Sequence, residues 1–277
     1  MNAGIHLQAY PKENVGINGY LSLKDADYWT VSGIRFGYSP TNTTGQAIVN
    51  FFGGTGWNFV GNEVSGTRGV ANLLIRERTP LSTSASDRAV AAPHDYLVAA
   101  NCIHDAAKTG SQGQMHNIYL MPTIYSGGGA IENNIIAGAP LGANIKASGS
   151  ADPDGAPREV IIRHNTLLYG ASGLVMGQAA NRVESIGNLI ALPISSGPND
   201  GGVKTYELTA ADTDSVKDTL ISGYVHPVRQ PWGSDPTLYL RRNVTPPSVS
   251  LTGSVANCSV RAADSSIRSV YGHMALK

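Results

Sequence analysis

The sequence predicts an all-β fold, a right-handed parallel β-helix in which one chain winds as a solenoid of short strands. A short pattern recurs: an apolar residue, usually an asparagine three positions later, and a second apolar residue two positions after that. A second short, β-prone segment follows these copies. No helical pattern of about 10–15 residues separates the strands, which argues against alternating strands and helices. The copies are Val31–Phe36, Phe59–Val64, Val98–Ile103, Ile131–Ile136, Ile162–Leu167 and, more loosely, Ser185–Ile190.

The spacing of the copies is typical of a solenoid with a constant core and variable loops. The central positions are 34, 62, 101, 134, 165 and 188, so the steps range from 23 to 39 residues. Asparagine suits the corner of a coil, because it tolerates a left-handed backbone and bonds to neighbouring backbone groups. Stacked coils would align these asparagines and let their amides bond from coil to coil. The side chains predicted to point inward include Ile103, Ile118, Ile136, Ile145, Leu167 and Leu174.

Composition limits the classes of function. The 277 residues carry 20 basic and 20 acidic side chains, so the chain lacks the basic excess of a nucleic-acid or membrane-surface binder. We therefore expect neither nucleic acid nor a membrane as a partner. The sequence contains no apolar run of about 18 residues, the length of a membrane span. Its first residues also lack the basic-then-apolar pattern of a signal peptide.

The repeat predicts about six coils within residues 5–193, in a β-helix domain spanning residues 1–193. Residues 194–277 are rich in Ser, Thr, Asp, Gly and Pro, and we interpret them as a C-terminal cap or appendage with a short helix at Ala210–Leu220. Cys102 and Cys258 lie far apart and match neither a zinc motif nor a disulfide framework. We expect two free thiols, and a single disulfide is the alternative.

Three stretches carry a resemblance to a known group of proteins: Tyr28–Phe36, Asn101–Asp105 and His116–Leu120. From Tyr28 to Leu192 the chain resembles the right-handed β-helix repeats of the pectate-lyase-like superfamily. That superfamily includes polysaccharide lyases, pectin-type glycoside hydrolases, alginate epimerases and phage tailspikes. The resemblance implies a polysaccharide partner and a secreted, extracellular or virion-associated location, and it allows a homo-oligomer. It assigns no single family, because no complete catalytic signature is present.

Alternation along the second strands predicts which side chains share the outer face. Tyr119 and Lys146 fall on adjacent coils, about 4.8 Å apart, with Arg76 one coil away and His116 at the start of the Tyr119 strand. The preceding outward row is expected to bind substrate and consists of Asn72, Asn117 and Asn144. The alignment sets Ile48, Leu73, Ile118, Ile145 and Leu174 inward and Val49, Leu74, Tyr119, Lys146 and Val175 outward.

This cluster suits the chemistry of uronic acids, whose C5 proton is weakly acidic. A cation must neutralise the adjacent carboxylate, and Arg76 or Lys146 supplies one. A base must take the proton, and Tyr119, Lys146 or His116 is a candidate if its pKa is tuned. The competing interpretation is that these side chains are ordinary polar residues on a solvated sheet face.

Loops on both sides of this face predict a groove. Glu77–Pro93 and Gly149–Pro157 follow its strands, and Ala106–Met115 precedes the Tyr119 strand. His104 and Asp105 end one repeat and are candidate contacts for substrate, or else a local turn cap. The run from Asp152 to Gly155 matches only the start of a calcium loop, so calcium stays open as a cofactor and no metal ligand is assigned.

The leading functional hypothesis is a β-eliminating lyase acting on an acidic, uronate-containing polysaccharide. The first alternative is a non-catalytic carbohydrate-binding or tailspike-like module, in which the β-helix is a rigid rod. The second is a glycoside hydrolase, which needs two carboxylates on one face. The Tyr119 face offers no such pair, although loop carboxylates such as Asp105, Asp152 or Asp154 could reach it.

Overall fold

A computed structural model of the chain shows strands throughout and a single short helix within the residues it describes. Those residues are 4–40, 47–109, 114–149, 156–194, 200–208, 213–230, 238–246, 248–255, 258 and 261–262. None of the described helices is long and apolar enough to cross a membrane.

The strands follow one another in eight successive coils, most of them with three strands, and the first half of the chain forms coils 1–4. Coil 1 comprises β1 (Ile5–Gln8), β2 (Val15–Asn18) and β3 (Leu21–Lys24); coil 2 comprises β4 (Trp29–Ser32), β5 (Ile34–Gly37) and β6 (Val49–Phe52). Coil 3 comprises β7 (Asn58–Val60), β8 (Glu63–Ser65) and β9 (Ala71–Arg76), and helix α1 (Ala85–Ala91) follows it. Coil 4 comprises β10 (Leu97–Ala99), β11 (Cys102–His104) and β12 (His116–Met121).

In coils 5 and 6 the second and third strands merge into one long bent strand. Coil 5 comprises β13 (Gly129–Glu132) and β14 (Ile135–Ser148); coil 6 comprises β15 (Arg158–Arg163) and β16 (Thr166–Gly177). Coil 7 comprises β17 (Asn181–Ile186), β18 (Leu189–Ala191) and β19 (Val203–Tyr206); coil 8 comprises β20 (Ser215–Lys217), β21 (Leu220–Ile221) and β22 (Val228–Arg229). The last strands are β23 (Tyr239–Arg241), β24 (Leu251–Thr252) and β25 (Arg261–Ala262).

Equivalent strands of successive coils pair in parallel and form three sheets. Sheet A runs β1-β4-β7-β10-β13-β15-β17-β20-β23. Sheet B runs β2-β5-β8-β11, continues through the first parts of β14 and β16, and ends with β18 and β21. Sheet C runs β3-β6-β9-β12, continues through the second parts of β14 and β16, and ends with β19 and β22. The predicted fold is therefore confirmed: this is a right-handed parallel β-helix.

The core lies inside the coil, where the inward residues of the three sheets meet. Ile118 pairs with Ile145, and Ile145 pairs with Leu174, so the predicted register of these strands is confirmed. All six predicted inward side chains are fully buried in one cluster. The alignment of coil 2 is wrong by one residue, because Val49 rather than Ile48 pairs with Leu73. Ile48 is buried just before β6 begins, so hydrophobicity does not distinguish the two registers.

The repeated asparagines form a buried ladder at the corner between sheets A and B. The amide Nδ2 of each of the first four donates to the Oδ1 of the asparagine one coil further on, at 3.3, 2.9, 2.9 and 3.0 Å. Each Nδ2 also donates to a backbone carbonyl of the preceding coil, as Asn134 does to Val98 at 3.0 Å. The predicted coil-to-coil bonding is thus present, in a ladder of Asn62, Asn101, Asn134, Asn165 and Asn188.

We expect Asn134→Ala to lower the free energy of unfolding by about 3 kcal/mol, because it leaves several buried donors and acceptors without partners. The Asn134 side chain bonds Asn101, Asn165 and Val98. Denaturant unfolding followed by circular dichroism measures the change. Asn58→Ala is the control, since the Asn58 amide makes one long 3.4 Å bond to Thr30. Equal losses in the two variants would show that the ladder adds no stability of its own.

The parallel pairing continues past residue 193, where the sequence pattern ends. Val203–Tyr206 pairs with β16, and Val228–Arg229 pairs with β19. The coil therefore extends further than the repeat predicts. The helix predicted at Ala210–Leu220 is wrong where the structure describes that segment, since Ser215–Lys217 is a strand of sheet A. At the ladder position of this coil Thr219 replaces asparagine, so the repeat pattern is not recognisable in the sequence there.

Residues 248–255 and Cys258, which follow the last coil, lie along the outside of sheet B, and we call these residues the strap. Val249, Leu251 and Val255 pack on apolar side chains that point outward from sheet B. A disulfide joins Cys258 to Cys102 on coil 4, with 5.7 Å between the Cα atoms. The expectation of two free thiols is wrong, because the strap brings together cysteines 156 residues apart. The covered side chains of sheet B are Ile135, Ala137, Leu168, Leu189, Ala191 and Leu220.

Candidate active site

The outer face of sheet C carries a cluster of cationic and aromatic side chains. We call it the lysine–tyrosine face and define it by Tyr119, Lys146, Lys204 and Tyr206. Tyr119 pairs with Lys146, Lys146 with Val175, and Val175 with Lys204, so the three face residues Tyr119, Lys146 and Lys204 share one outward row with Val175. Tyr206 lies in the next row, two residues along β19 from Lys204. The described strands of sheet C contain no aspartate or glutamate, and the acidic residue whose charge acts on Lys204 is Asp200, which precedes β19.

Lys146 lies at the centre of the face, between two phenol rings. Its Nζ is 4.8 Å from the ring centroid of Tyr119 and 6.0 Å from that of Tyr206. These distances fall in the range of cation–π contacts. Burial, together with the nearby charge of Lys204, lowers the pKa of Lys146. Burial likewise raises the pKa of Tyr119 to about 12, so this phenol is protonated near neutral pH.

Tyr206 is held in place by a small hydrogen-bond network. Its hydroxyl bonds the Ser148 hydroxyl and donates to Gln178 Oε1 at 3.3 Å. Ser148 donates to the same oxygen at 3.0 Å. The Tyr206 ring lies flat on Gly177, where an added Cβ would come within 2.3 Å of the ring. The glycine of coil 6 therefore lets a side chain of coil 7 reach back to coil 5.

Sequence reasoning missed Lys204, Tyr206, Ser148 and Gln178. Extending the strand alignment by one coil would have found the first two, since Val203-Lys204-Thr205-Tyr206 alternates like Ile145-Lys146-Ala147-Ser148. The longer connection before β19 and the lost asparagine concealed this coil. Gln178 follows β16 in a left-handed conformation that alternation along a strand does not predict.

His116 lies behind the face rather than on it. The side chain is 1% exposed, and its Nδ1 accepts a hydrogen bond from the Ala143 backbone N–H at 3.0 Å. Burial lowers the pKa of His116 to about 3, so the ring is neutral over the ordinary pH range. The ring centroid lies 5.1 Å from that of Tyr119. His116 thus packs beneath the tyrosine, and its burial does not fit the predicted role of a base that meets substrate.

The predicted outward row of asparagines is also wrong, because Asn72, Asn117 and Asn144 are fully buried. They form a second ladder, in which Asn72 donates to Asn117 at 2.8 Å and Asn117 donates to Asn144 at 3.0 Å. Their amides also donate to carbonyls of sheet B, such as that of His104. The strands begin at a corner, so the alternation of sides does not yet hold there. Because they are fully buried, the three asparagines do not meet a ligand on the outer face.

Arg76 lies on the same outer face as Tyr119 but does not meet Lys146. It pairs with Met121 on coil 4, so it is two coils away from Lys146 and displaced along the strand. Its guanidinium carbon lies 5.0 Å above the ring centroid of Phe52 on coil 2. Arg76 therefore belongs to the N-terminal end of the face rather than to its centre.

His104 and Asp105 lie together on a different sheet from the lysine–tyrosine face. His104 ends β11 of sheet B, and its Nδ1 is 2.8 Å from Asp105 Oδ2. Its Nε2 is 3.6 Å from a carboxylate oxygen of Glu63 on the preceding coil. The imidazole thus lies between two carboxylates. A contact of this pair with substrate stays a prediction, at a site separate from Lys146.

Of the three loops in the groove hypothesis, the structure describes one in full, and the groove itself stays a prediction. Glu77–Pro93 follows β9 and contains α1, whose Arg88 bonds Glu77 and lies over the Tyr125 ring. Most of Gly149–Pro157, with Asp152 and Asp154, lies outside the described residues, as does part of Ala106–Met115. Within the described residues no group of three His, Cys, Asp or Glu side chains is arranged to hold a metal ion.

Known structures share this fold. No protein-family model matches the chain, and no curated protein sequence matches it. The complex of XylC with xylose is 15% identical, with a TM-score of 0.49 over 81% of this chain and 35% of that one. The periplasmic alginate epimerase AlgG is 13% identical, with a TM-score of 0.47 over 81% of this chain and 44% of that one.

A tailspike protein double mutant of E. coli bacteriophage HK620 is 10% identical, with a TM-score of 0.47 over 87% of this chain and 50% of that one. The present chain thus spans half or less of the length of these three structures. The likeness is one of fold, that of right-handed parallel β-helix proteins, and points to no single family.

Proposed function

We propose that this chain acts on an acidic polysaccharide by β-elimination, at the lysine–tyrosine face. The observation that carries the proposal is the placement of Lys146 between two phenol rings on strands that contain no carboxylate. On sheet A, by contrast, Lys217 pairs with Glu184. Among the described residues Lys146 instead contacts two phenol rings, which leaves its charge to an anionic ligand.

Each step of the elimination has a candidate side chain. The uronate carboxylate binds Lys146, which stabilises the negative charge that develops when C5 loses its proton. Tyr119, as phenolate, takes that proton. The electron pair of the C5–H bond forms the C4=C5 double bond as the C4–O4 bond breaks. Tyr206 donates the proton that the departing O4 requires. The products are an unsaturated uronate and a new hydroxyl end.

The test is a screen of alginate, polygalacturonate and glycosaminoglycans for product that absorbs in the ultraviolet. The conjugated acid formed by elimination absorbs there, whereas the substrates and the products of hydrolysis do not. New reducing ends without absorbance would support a hydrolase instead. Binding without any product, by a stable oligomer, would support the tailspike-like module.

The pKa shifts predict an alkaline pH optimum. Tyr119 takes a proton only as phenolate. Because its pKa is raised to about 12, the fraction of Tyr119 that is phenolate rises about tenfold per pH unit from neutrality. Lys146 must stay charged, and its pKa is lowered. Activity follows the product of the phenolate fraction of Tyr119 and the charged fraction of Lys146. This product rises until Lys146 begins to lose its proton, then levels off, and falls only near pH 12. Measurement of kcat/KM against pH checks this, and a maximum near neutral pH would contradict it.

The disulfide supports a location outside the reducing cytosol. Cys102 and Cys258 are paired, and such bonds persist in secreted and periplasmic proteins or on virions. We therefore propose that the protein is extracellular or virion-associated. Acidic polysaccharides also occur outside the cell.

A further inference from the structure

Positive charges on the outer face of sheet C alternate with the coils. Coils 1, 3, 5 and 7 each present one cation, whereas coils 2, 4 and 6 present none in their described strands. The register fixes this order, since Lys24 pairs with Phe52 and Phe52 with Arg76. The four cations are Lys24, Arg76, Lys146 and Lys204, and the uncharged outward residues between them are Asn50, Phe52, Tyr119, Met121, Val175 and Gly177. Coil 8 ends the alternation, because Arg229 follows Lys204 directly.

The spacing of these cations gives the face a repeat along the coil axis. Adjacent parallel strands are about 4.8 Å apart, so along the axis cations on every second coil recur about every 10 Å. Lys24 and Arg76 lie in one row, and Lys146 and Lys204 lie in the neighbouring row, two residues earlier along the strands. One hexopyranose unit of an extended 1,4-linked chain is close in length to one strand spacing. A polysaccharide lying along the axis therefore sets about one sugar over each coil.

We propose that this face reads carboxylates that recur at every second sugar of the bound chain. The inference rests on the proposed function, since it takes an acidic polysaccharide as the ligand of this face. Lys146 and Lys204 each face a carboxylate, and the sugar between them lies over Val175. Val175 pairs in register with both lysines and is 7% exposed. A carboxylate at that position would lose water without meeting a cation, which is unfavourable.

Two kinds of polymer offer this pattern. One alternates uronate with an uncharged sugar. The other is a contiguous polyuronate that winds as a twofold ribbon, so that successive carboxylates point to opposite sides. A threefold polyuronate does not offer the pattern. Hyaluronan, polymannuronate and polygalacturonate distinguish these sources when compared at equal uronate concentration and equal salt.

The decisive experiment compares two isomeric tetrasaccharides that each carry two uronates and two uncharged sugars. In one the uronates are the first and third sugars, and in the other they are the second and third. Because the net charge is the same, general electrostatic attraction is the same. Calorimetry should show about tenfold tighter binding of the alternating isomer. Equal affinity would overturn this inference alone, and no binding of either isomer or of any polyuronate would overturn the proposed function with it.

A substitution on coil 6 tests the cause of the preference. Val175→Lys places a cation between Lys146 and Lys204, so binding of the adjacent-uronate isomer should rise to at least that of the alternating one. Val175→Gln, of similar length but uncharged, should keep the original order. If Val175→Lys still binds the alternating isomer more tightly than the adjacent-uronate isomer, the cation spacing does not cause the preference. Circular dichroism verifies that both variants keep the β-helix.

Discussion

Lys146→Met is expected to lower kcat/KM on a uronate substrate by about 10³-fold, with both kcat and KM affected. The substitution keeps the length of the side chain and removes the charge that binds the carboxylate and stabilises its developing anion. Initial rates over a range of substrate concentrations measure both constants. Lys217→Met is the matched control, because it makes the same chemical change on sheet A, where Lys217 pairs with Glu184. That variant should keep the activity of the unmodified protein.

Tyr119→Phe separates binding from proton transfer at the same site. It keeps the ring over which Lys146 lies and removes only the hydroxyl. Proton-transfer groups typically supply about 10²–10⁴-fold in rate, so kcat should fall by that factor while KM changes little. Should Lys146→Met and Tyr119→Phe both retain full activity, the lysine–tyrosine face is not the active site. His104, Asp105 and the loop residues Asp152 and Asp154 would then be examined next.

Cys258→Ser is expected to lower the free energy of unfolding by about 3 kcal/mol and to free the strap. The disulfide closes a long loop between residues 102 and 258, and it fixes the end of a segment that covers apolar residues of sheet B. Denaturant unfolding gives the energy, and limited proteolysis with mass spectrometry detects cleavage after residue 244. In the unmodified protein a reducing agent should reproduce both effects.

A double-mutant comparison controls for local damage. Cys102→Ser removes the same bond from the other end, so the double variant should be about as stable as either single one. Additive losses would mean that each cysteine contributes by packing rather than through the bond. If reduction leaves the stability of the unmodified protein unchanged, the strap is held by its apolar contacts alone.

The fold could be predicted from the sequence because one short pattern specifies both the buried core positions and the asparagine at the corner of each coil. The apolar positions of the repeat are the buried rows, and the asparagine between them is the ladder. The same alternation placed Tyr119 beside Lys146 correctly. It failed at the corners, where Asn72, Asn117 and Asn144 turn inward although counting along the strand points them outward.

The parts that could not be predicted depend on contacts distant in sequence. The pairing of Cys102 with Cys258 requires the path of the strap, which no local pattern describes. A hint of the covered face was nevertheless present: adjacent apolar residues follow the corner in Asn134-Ile-Ile, Asn188-Leu-Ile and Thr219-Leu-Ile. In such a pair one side chain faces the core and the other faces out, which indicates that something covers the outer side of sheet B.

The path of the strap also sets an order on the biosynthesis of the protein. Each coil of a solenoid contacts its neighbours, so coils 1 to 8 can assemble one after another while the chain emerges from the ribosome. The strap cannot dock until coil 8 exists, and Cys102 waits for a partner synthesised 156 residues later. Until then Ile135, Leu168 and Leu189 of sheet B are open to solvent. The newly made chain therefore passes through a stage with a bare apolar stripe and a free thiol, and docking of the strap ends that stage.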